Sequence, residues 1–204
     1  MSSFTQTKRL LRYRMSLLRL KKMGLEKVFS YTLGKETGVS AELVRKDFST
    51  FGIKGHRRGG YDIDNLLNSL EKIFGKDRVQ NVIVVGMGNM GKAVSLYKGF
   101  RDNKMNIVAG FDIDPAKLNK KFQIPVYPLE NMGEVVEAFQ VSVGVLAVPE
   151  VAAQESADYM IQSGIKAILN LAPVLIKTPE DVLVNNVNMM VELERLMYHS
   201  GVLK

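Results

Sequence analysis

The sequence predicts an α/β protein in which a parallel-sheet domain follows a small, basic, helical domain that ends in a hairpin. Three observations predict it. Residues 80–112 carry a strand–glycine–helix–strand pattern, apolar runs and helices keep alternating to residue 170, and the charge changes sign between residues 78 and 79. The chain has 204 residues, 46% hydrophobic and 24% charged, which is ordinary for a globular protein and enough for two small domains. Its net charge of +7 is unevenly placed: residues 1–78 hold 17 Lys and Arg against 8 Asp and Glu, and residues 79–204 hold 11 against 13. A basic module joined to a slightly acidic one predicts a polyanionic partner for the first. The chain has no cysteine and only His56 and His199, which argues against disulfides, thiolate nucleophiles and Cys- or His-rich metal centres. No apolar run approaches the roughly 18–20 residues of a membrane span, and residues 1–8 lack the apolar stretch of a signal peptide. A cytoplasmic protein with no membrane partner is expected.

Lys8–Lys22 predicts a helix whose apolar face is Leu10, Leu11, Met15, Leu17, Leu18 and Leu20, ended by Gly24. Ser30–Thr37 predicts a short helix stopped at Gly38. Ser40 can then cap a second helix from Ala41 to Phe48. Two short helices around a glycine-containing turn form a helix-turn-helix. With Leu43, Val44 and Phe48 inward, Arg45, Lys46 and Ser49 face outward, where Arg and Lys suit guanine edges or phosphates. Next, residues 52–60 hold four glycines around His56, Arg57 and Arg58, which reads as the hairpin wing of a winged helix. An arginine at its tip suits the enhanced negative potential of a minor groove. Candidate DNA contacts are therefore Ser40, Arg45, Lys46, Ser49, His56, Arg57 and Arg58. Asp62–Phe74 predicts a connecting helix, and Gly75–Asp77 a hinge.

Val82–Val85 is an apolar run ending in Gly86-Met87-Gly88-Asn89-Met90-Gly91, which has G-x-G-x-x-G spacing, and Lys92–Leu96 continues as a helix. In the dinucleotide-binding fingerprint the first glycine permits the tight turn, the second lets backbone approach the pyrophosphate, and the third lets helix and strand pack closely. The phosphates then meet the unpaired N–H groups of the helix N-terminus. A second apolar run, Asn106–Phe111, ends at Asp112, twenty-one residues after Gly91. There a carboxylate accepts hydrogen bonds from the adenosine ribose. Ile113 and Asp114 follow, with no arginine, so NADH / NAD+ is expected rather than the 2′-phosphorylated form. Asp112 also suits capping of a helix that starts at Asp114-Pro115.

Strands at Ile124–Tyr127, Val141–Val148 and Ile165–Asn170 alternate with helices at Gly133–Phe139 and Glu150–Ser163. This alternation predicts a Rossmann domain with a parallel sheet, with ligands at the carboxyl ends of its strands. Val148, Pro149 and Pro173 are placed beside the cofactor, and Tyr97, on the first helix after the glycine loop, within reach of it. No convincing catalytic set appears, and the thirty or so residues after Pro173 are too few for a substrate domain. Neither an enzyme nor a small-molecule substrate is expected. Asn188–Ser200 predicts a helix with Met189, Met190, Leu193, Leu196 and Met197 apolar, which either seeks a partner surface or covers its own sheet. The expected domains are a winged helix at residues 1–77, a Rossmann domain at 78–186 and a dimerisation helix at 187–204.

Jointly the motifs resemble the Rex family of redox-sensing transcriptional repressors, almost end to end. The carriers are Leu43–Ser49 with Phe51-Gly52, Gly60-Tyr61-Asp62, Gly86–Gly91, Tyr97–Phe100, Phe111–Pro115, Val148-Pro149, Ala153-Gln154, Gly164–Lys166 and Ile168–Pro173. The resemblance implies a homodimer with a swapped C-terminal helix. It also implies release from a palindromic operator by NADH, while NAD+ permits binding. Departures are few. The wing, usually close to Lys-Arg-Gly-Val-Gly-Tyr, is His56–Tyr61 here, with Arg58 at a glycine position. The usual Asn-Phe-Ala-Pro is Asn170–Pro173 with Leu171. An arginine and an acid found in relatives appear as Met15 and Asn188, so the ionic contact they would make is absent and modest redox coupling is expected. Two competing readings are an NAD-dependent oxidoreductase with a basic N-terminal extension, and a DNA-binding paralogue that holds a nucleotide only for structure.

Overall fold

The computed structural model describes residues 4–56, 59–75, 78–118 and 122–201. The chain divides into two compact units, Met1–Arg78 and Val79–Lys204.

The first unit is built on helices α1 (Phe4–Lys22), α2 (Ser30–Thr37), α3 (Ala41–Thr50) and α4 (Ile63–Ile73), with a ribbon of β1 (Lys27–Val28) paired antiparallel to β2 (Tyr61–Asp62). Each boundary has a local cause. Gly38 closes α2 in the left-handed conformation, the Ser40 hydroxyl caps α3 by accepting the Leu43 N–H, and the Asp62 carboxylate caps α4 by accepting the Asn65 N–H. Leu10, Tyr13 and Leu17 of α1 meet Leu33, Val44 and Phe48 of the helix-turn-helix and Ile63, Leu66 and Leu70 of α4 in one core. Full burial of each such side chain stabilises by about 1.5–3 kcal/mol. The strand at Lys27–Val28 carries no sequence signal of its own: two residues cannot show alternation, and only the pairing with Tyr61–Asp62 defines them.

In the second unit six parallel strands lie in the order β5-β4-β3-β6-β7-β8: β3 (Gln80–Val85), β4 (Met105–Phe111), β5 (Val126–Tyr127), β6 (Val143–Leu146), β7 (Ala167–Asn170) and β8 (Leu183–Asn186). The connections carry α5 (Asn89–Leu96), α6 (Lys98–Asp102), α7 (Met132–Ala138) and α8 (Glu150–Gln162). One apolar layer includes Ile83, Val85, Phe111, Leu146, Ala157 and Met160, and the other Val82, Val84, Met87, Ile107, Val126 and Val145. Neighbouring residues of β3 thus point to opposite faces, which is why its run is continuously apolar. From β3 the chain winds outward to β5, then returns to place β6 on the other side of β3. That reversal opens a crevice at the carboxyl ends of β3 and β6.

After β8 comes α9 (Met189–Ser200), capped by the Asn188 carboxamide oxygen on the Met190 and Val191 N–H groups. None of its residues is buried, so it does not cover its own sheet. No helix among the described residues is long and apolar enough to cross a membrane.

Candidate functional site

The glycine loop joins β3 to α5. Gly86 has φ +92°, and a Cβ there would strike the Ala147 carbonyl. A Cβ on Gly91 would strike the Gly86 carbonyl oxygen, so helix and loop touch backbone to backbone. Gly88 differs from both. Its φ is −73°, and a Cβ there would meet nothing within 4 Å. No internal packing demands glycine at this position; the open space over it is what a side chain would fill. Gly88 is also the N-cap of α5 and supplies no side chain to the N–H groups of Asn89, Met90 and Gly91, which lack intrahelical acceptors. The donor set and the cleared space fit a phosphate group.

Asp112 follows β4 and is buried. Its Oδ2 accepts the Met87 N–H at 2.7 Å, its Oδ1 accepts the Asp114 N–H at 2.9 Å, and Lys117 Nζ donates to both at 3.0–3.1 Å. Burial pushes its carboxyl pKa up, but the Asp114 N–H, the Lys117 ammonium and the Met87 N–H outweigh burial and hold it below the usual value. Asp112 is therefore ionised at neutral pH and ties the loop after β4 to the glycine loop. A cleft of about 330 Å³ opens beside it, lined by Gly86, Gly88, Asp112, Ile113, Asp114, Lys117, Val148 and Pro149, with Leu129, Ala147, Ala152 and Ser156 among the others.

Several expected residues occupy other places. Pro115–Leu118 forms a turn rather than a helix, so Asp112 caps no helix; the Asp114 carboxylate accepts the Ala116 N–H in that turn. Met87 is fully buried and offers the site only its backbone. Tyr97 does not lie on a helix but at the break between α5 and α6, packs edge-on against Phe100, and lines a separate cavity with Ser95, Arg101 and Gln123. Pro173 is not among the residues lining the cleft. The end of β7 is instead fixed by buried Asn170, which donates to the Val174 carbonyl and to Asn186 Oδ1 and accepts the Ala172 N–H. Lys117 was missed. Its signal was faint: a lysine five residues past an acid at a strand end.

In the first unit, Arg45, Lys46 and Ser49 share the exposed face of α3, and Ser40 precedes it. His56 is exposed and forms a two-bond bridge with Gly60 at 2.9 Å each way, the neck of a tight hairpin. Arg57 and Arg58 lie outside the described residues. The other face of α3 carries a buried acid that the sequence reading passed over. Asp47 accepts both Arg9 Nε and Nη2 at 2.7 Å, the Tyr13 hydroxyl at 3.0 Å and Gln6 Nε2 at 3.2 Å. This cluster fastens α3 to α1, and with it the angle at which the exposed face is presented.

A helix-turn-helix with a hairpin wing, followed by a Rossmann domain with a cleared glycine loop, defines a ligand-responsive class of transcription regulator. Comparison with known proteins narrows the class. A profile described as "Putative DNA-binding protein N-terminus" matches residues 5–49, and one described as "CoA binding domain" matches residues 77–174. The redox-sensing transcriptional repressor Rex of Pelotomaculum thermopropionicum is 41% identical over 92% of this chain and 88% of its own. That of Lactobacillus acidophilus is 38% identical over 94% and 91%. The crystal structure of RSP in complex with β-NAD+ and operator DNA superposes with a TM-score of 0.91 at 33% identity, covering 98% of this chain and 92% of that one. The complex of RSP with β-NADH gives 0.86, covering 98% and 94%. The chain belongs to the Rex family of redox-sensing transcriptional repressors.

Proposed function

We propose that this chain binds a palindromic double-stranded DNA operator as a homodimer and senses the NADH/NAD+ ratio, NADH favouring release. The observation that carries the nucleotide half is Gly88, a glycine with no internal reason to be one, poised over uncapped N–H groups and beside the ionised Asp112. Gly86, Met87, Gly88, Asn89, Met90 and Gly91 would hold the pyrophosphate through backbone, Asp112 the adenosine ribose, and Val148 and Pro149 the apolar wall. Tyr97 and Pro173, away from this cleft, would act only where a second protomer or a longer reach of the dinucleotide brings them in.

The exposed face of α3 and the wing supply the DNA contacts. RSP, a relative by sequence and fold, was crystallised with β-NAD+ and operator DNA and with β-NADH, which supports the same pair of ligands here. The exposed apolar side chains of α9 support its use as the dimer element, within residues 187–204. The boundary between the winged helix at 1–77 and the Rossmann domain at 78–186 lies within one residue of the division between the compact units at 78/79. A repressor of this kind works beside the chromosome, in the bacterial cytoplasm.

The test is anisotropy with a palindromic duplex selected by the protein from a random pool. NAD+ should leave binding intact and NADH should weaken it, with neither nucleotide consumed. An NADH titration that leaves operator binding unchanged would overturn the sensing role, and steady turnover of NADH would point to an oxidoreductase.

A further inference from the structure

This inference deepens the operator-binding reading of α3 and rests on it. Arg45 is held at both of its terminal amino groups: Nη1 donates to Ser30 Oγ at 2.9 Å, and Nη2 to Glu42 Oε1 at 3.2 Å. Ser30 opens α2. Glu42 sits in the first turn of α3, three residues before Arg45, so both stand on one helix face. The Glu42 side chain is 78% exposed. Its own backbone N–H and the Ser40 hydroxyl hold its carboxyl below the usual value, so it carries a full negative charge at neutral pH.

A carboxylate there needs a reason. The first turn of a recognition helix is the part that meets base edges. The bond from Arg45 and the place of Glu42 in the first turn hold the carboxylate there in the free protein. Toward the DNA itself phosphates repel it, and the favourable contact open to it is a hydrogen bond accepted from a base. In the major groove two bases offer an amino donor. Adenine N6 lies next to the acceptor N7, which repels the second carboxylate oxygen. Cytosine N4 has no such neighbour and is the usual partner of an acidic side chain. Arginine matches guanine O6 and N7. Side chains three apart on a helix are about 5–6 Å apart at Cβ, and base pairs are stacked about 3.4 Å apart. The pair therefore spans one base pair or two adjacent ones.

We infer that Glu42 is a specificity-determining residue: its carboxylate accepts from N4 of a cytosine in the same base pair as, or the pair next to, the guanine read by Arg45. Ser30 holds the guanidinium from the α2 side, so the two readers enter the groove as one unit.

The experiment is selection of duplexes from a random pool by the full-length parent, Glu42→Ala and Glu42→Gln, with NAD+ present, followed by affinities for the parent's selected operator and for a scrambled duplex. The parent should enrich a palindrome in which each half-site has an invariant G·C pair, alone or next to a second one, at the position that the α3 variants alter. Glu42→Ala should lose the preference at that one position by about tenfold while binding the scrambled duplex more tightly. Glu42→Gln should move the preference toward adenine, which a carboxamide matches. Variants that select the parent's bases at every position, or that tighten on all duplexes equally with no change of preference, would overturn the inference and leave the operator reading standing. A parent that enriches no palindrome would remove both.

Discussion

Among the described residues each unit buries one ionised aspartate, and the two are held by different kinds of donor. Asp47 is saturated by side chains from α1: Arg9 in a two-bond grip, Tyr13 and Gln6. Asp112 is held by the backbone of its own turn and of the glycine loop and, among the described residues, by one side chain, Lys117, and it borders an open cleft. A carboxylate enclosed by its own fold is a structural tie. Asp112 accepts as many bonds, but two of them come from one lysine at the rim of a cleft, which a ligand hydroxyl can displace without breaking the fold. Identity and burial alone would have put both in one category; the donors separate them.

The sharpest break of this comparison is Asp47→Ala. It leaves the Tyr13 hydroxyl buried without an acceptor and the Arg9 guanidinium without its counter-charge, a loss of about 3 kcal/mol. Hydrogen exchange should show α1 and α3 opening, and DNA binding should fall on every sequence, while NADH affinity stays at the parent value. If NADH affinity falls in parallel, the tie is not confined to the first unit.

Asp112→Ala should do the reverse. Removing an acceptor of charge-assisted bonds costs about 1.5–3 kcal/mol, so NADH binding should weaken by about tenfold or more. The same change takes from Lys117 the nearer of its two carboxylates, leaving it the Asp114 pair at 3.8 Å beside the ribose position. The preference for NADH over NADPH should therefore narrow, read by fluorescence titration with both. An unchanged ratio would mean that Lys117 does not reach the ribose. Gly88→Val sharpens the test from another side. Its Cβ has free space, so thermal stability should hold while NADH binding is lost; Gly91→Ala, whose Cβ meets backbone, should lose both.

These differences explain what was legible in the sequence. Gly86–Gly91 and Asp112 could be read because a turn, a close approach and a strand end each demand a residue type at a fixed spacing. The cap at Ser40 was legible for the same local reason, whereas Asp62, placed inside the connecting helix by its sequence, caps it instead. Lys27–Val28 and Leu183–Asn186 were not legible, because each exists only through pairing with a distant strand. Asp47 was hidden because its partners lie 34 to 41 residues away on another helix, and an acid on a short amphipathic helix reads as a solvated one. Lys117 was masked by Asp114-Pro115, which reads as a helix start and forms a turn.

Acidity and alkalinity separate the two ties further. Burial raises the Asp47 pKa, but the bonds from Arg9 and Tyr13 outweigh it and hold the folded value below that of the unfolded chain. Its contribution is thus present above the ordinary aspartate value of about 3.9 and is lost as pH falls through the lower folded value. Tyr13 shifts the other way: burial, with the Asp47 hydrogen bond and charge, raises it to about 12. Its contribution is complete below about pH 10 and is lost as pH rises toward 12. The first unit should therefore hold a plateau between these limits and lose stability at both ends. Tyr13→Phe should flatten the alkaline limb and leave the acid limb largely in place, measured as thermal midpoints by circular dichroism across the pH range. An alkaline limb that survives the substitution would place the titrating group elsewhere.

The smallest expected effect concerns α9, none of whose residues is buried. Asn188 caps α9 through its carboxamide oxygen, at 3.0 Å from the Met190 N–H and 3.3 Å from the Val191 N–H. Asn188→Ala removes that acceptor at a cost of about 1 kcal/mol to the helix end. Asn188→Asp keeps the acceptor and adds a negative charge where the helix dipole favours one, worth about 0.3–1 kcal/mol. Packing within the protomer compensates little for a frayed first turn, because no residue of α9 is buried. If α9 forms the dimer, the change must appear in self-association: Asn188→Ala should weaken it several-fold and Asn188→Asp should leave it equal or slightly tighter, by sedimentation across a dilution series. Core stability of either unit should not move, since neither Asn188 nor any residue of α9 belongs to a hydrophobic core cluster. Equal association of all three chains would show that the first turn of α9 contributes nothing to the dimer, and would shift the interface toward its Leu193–Tyr198 end.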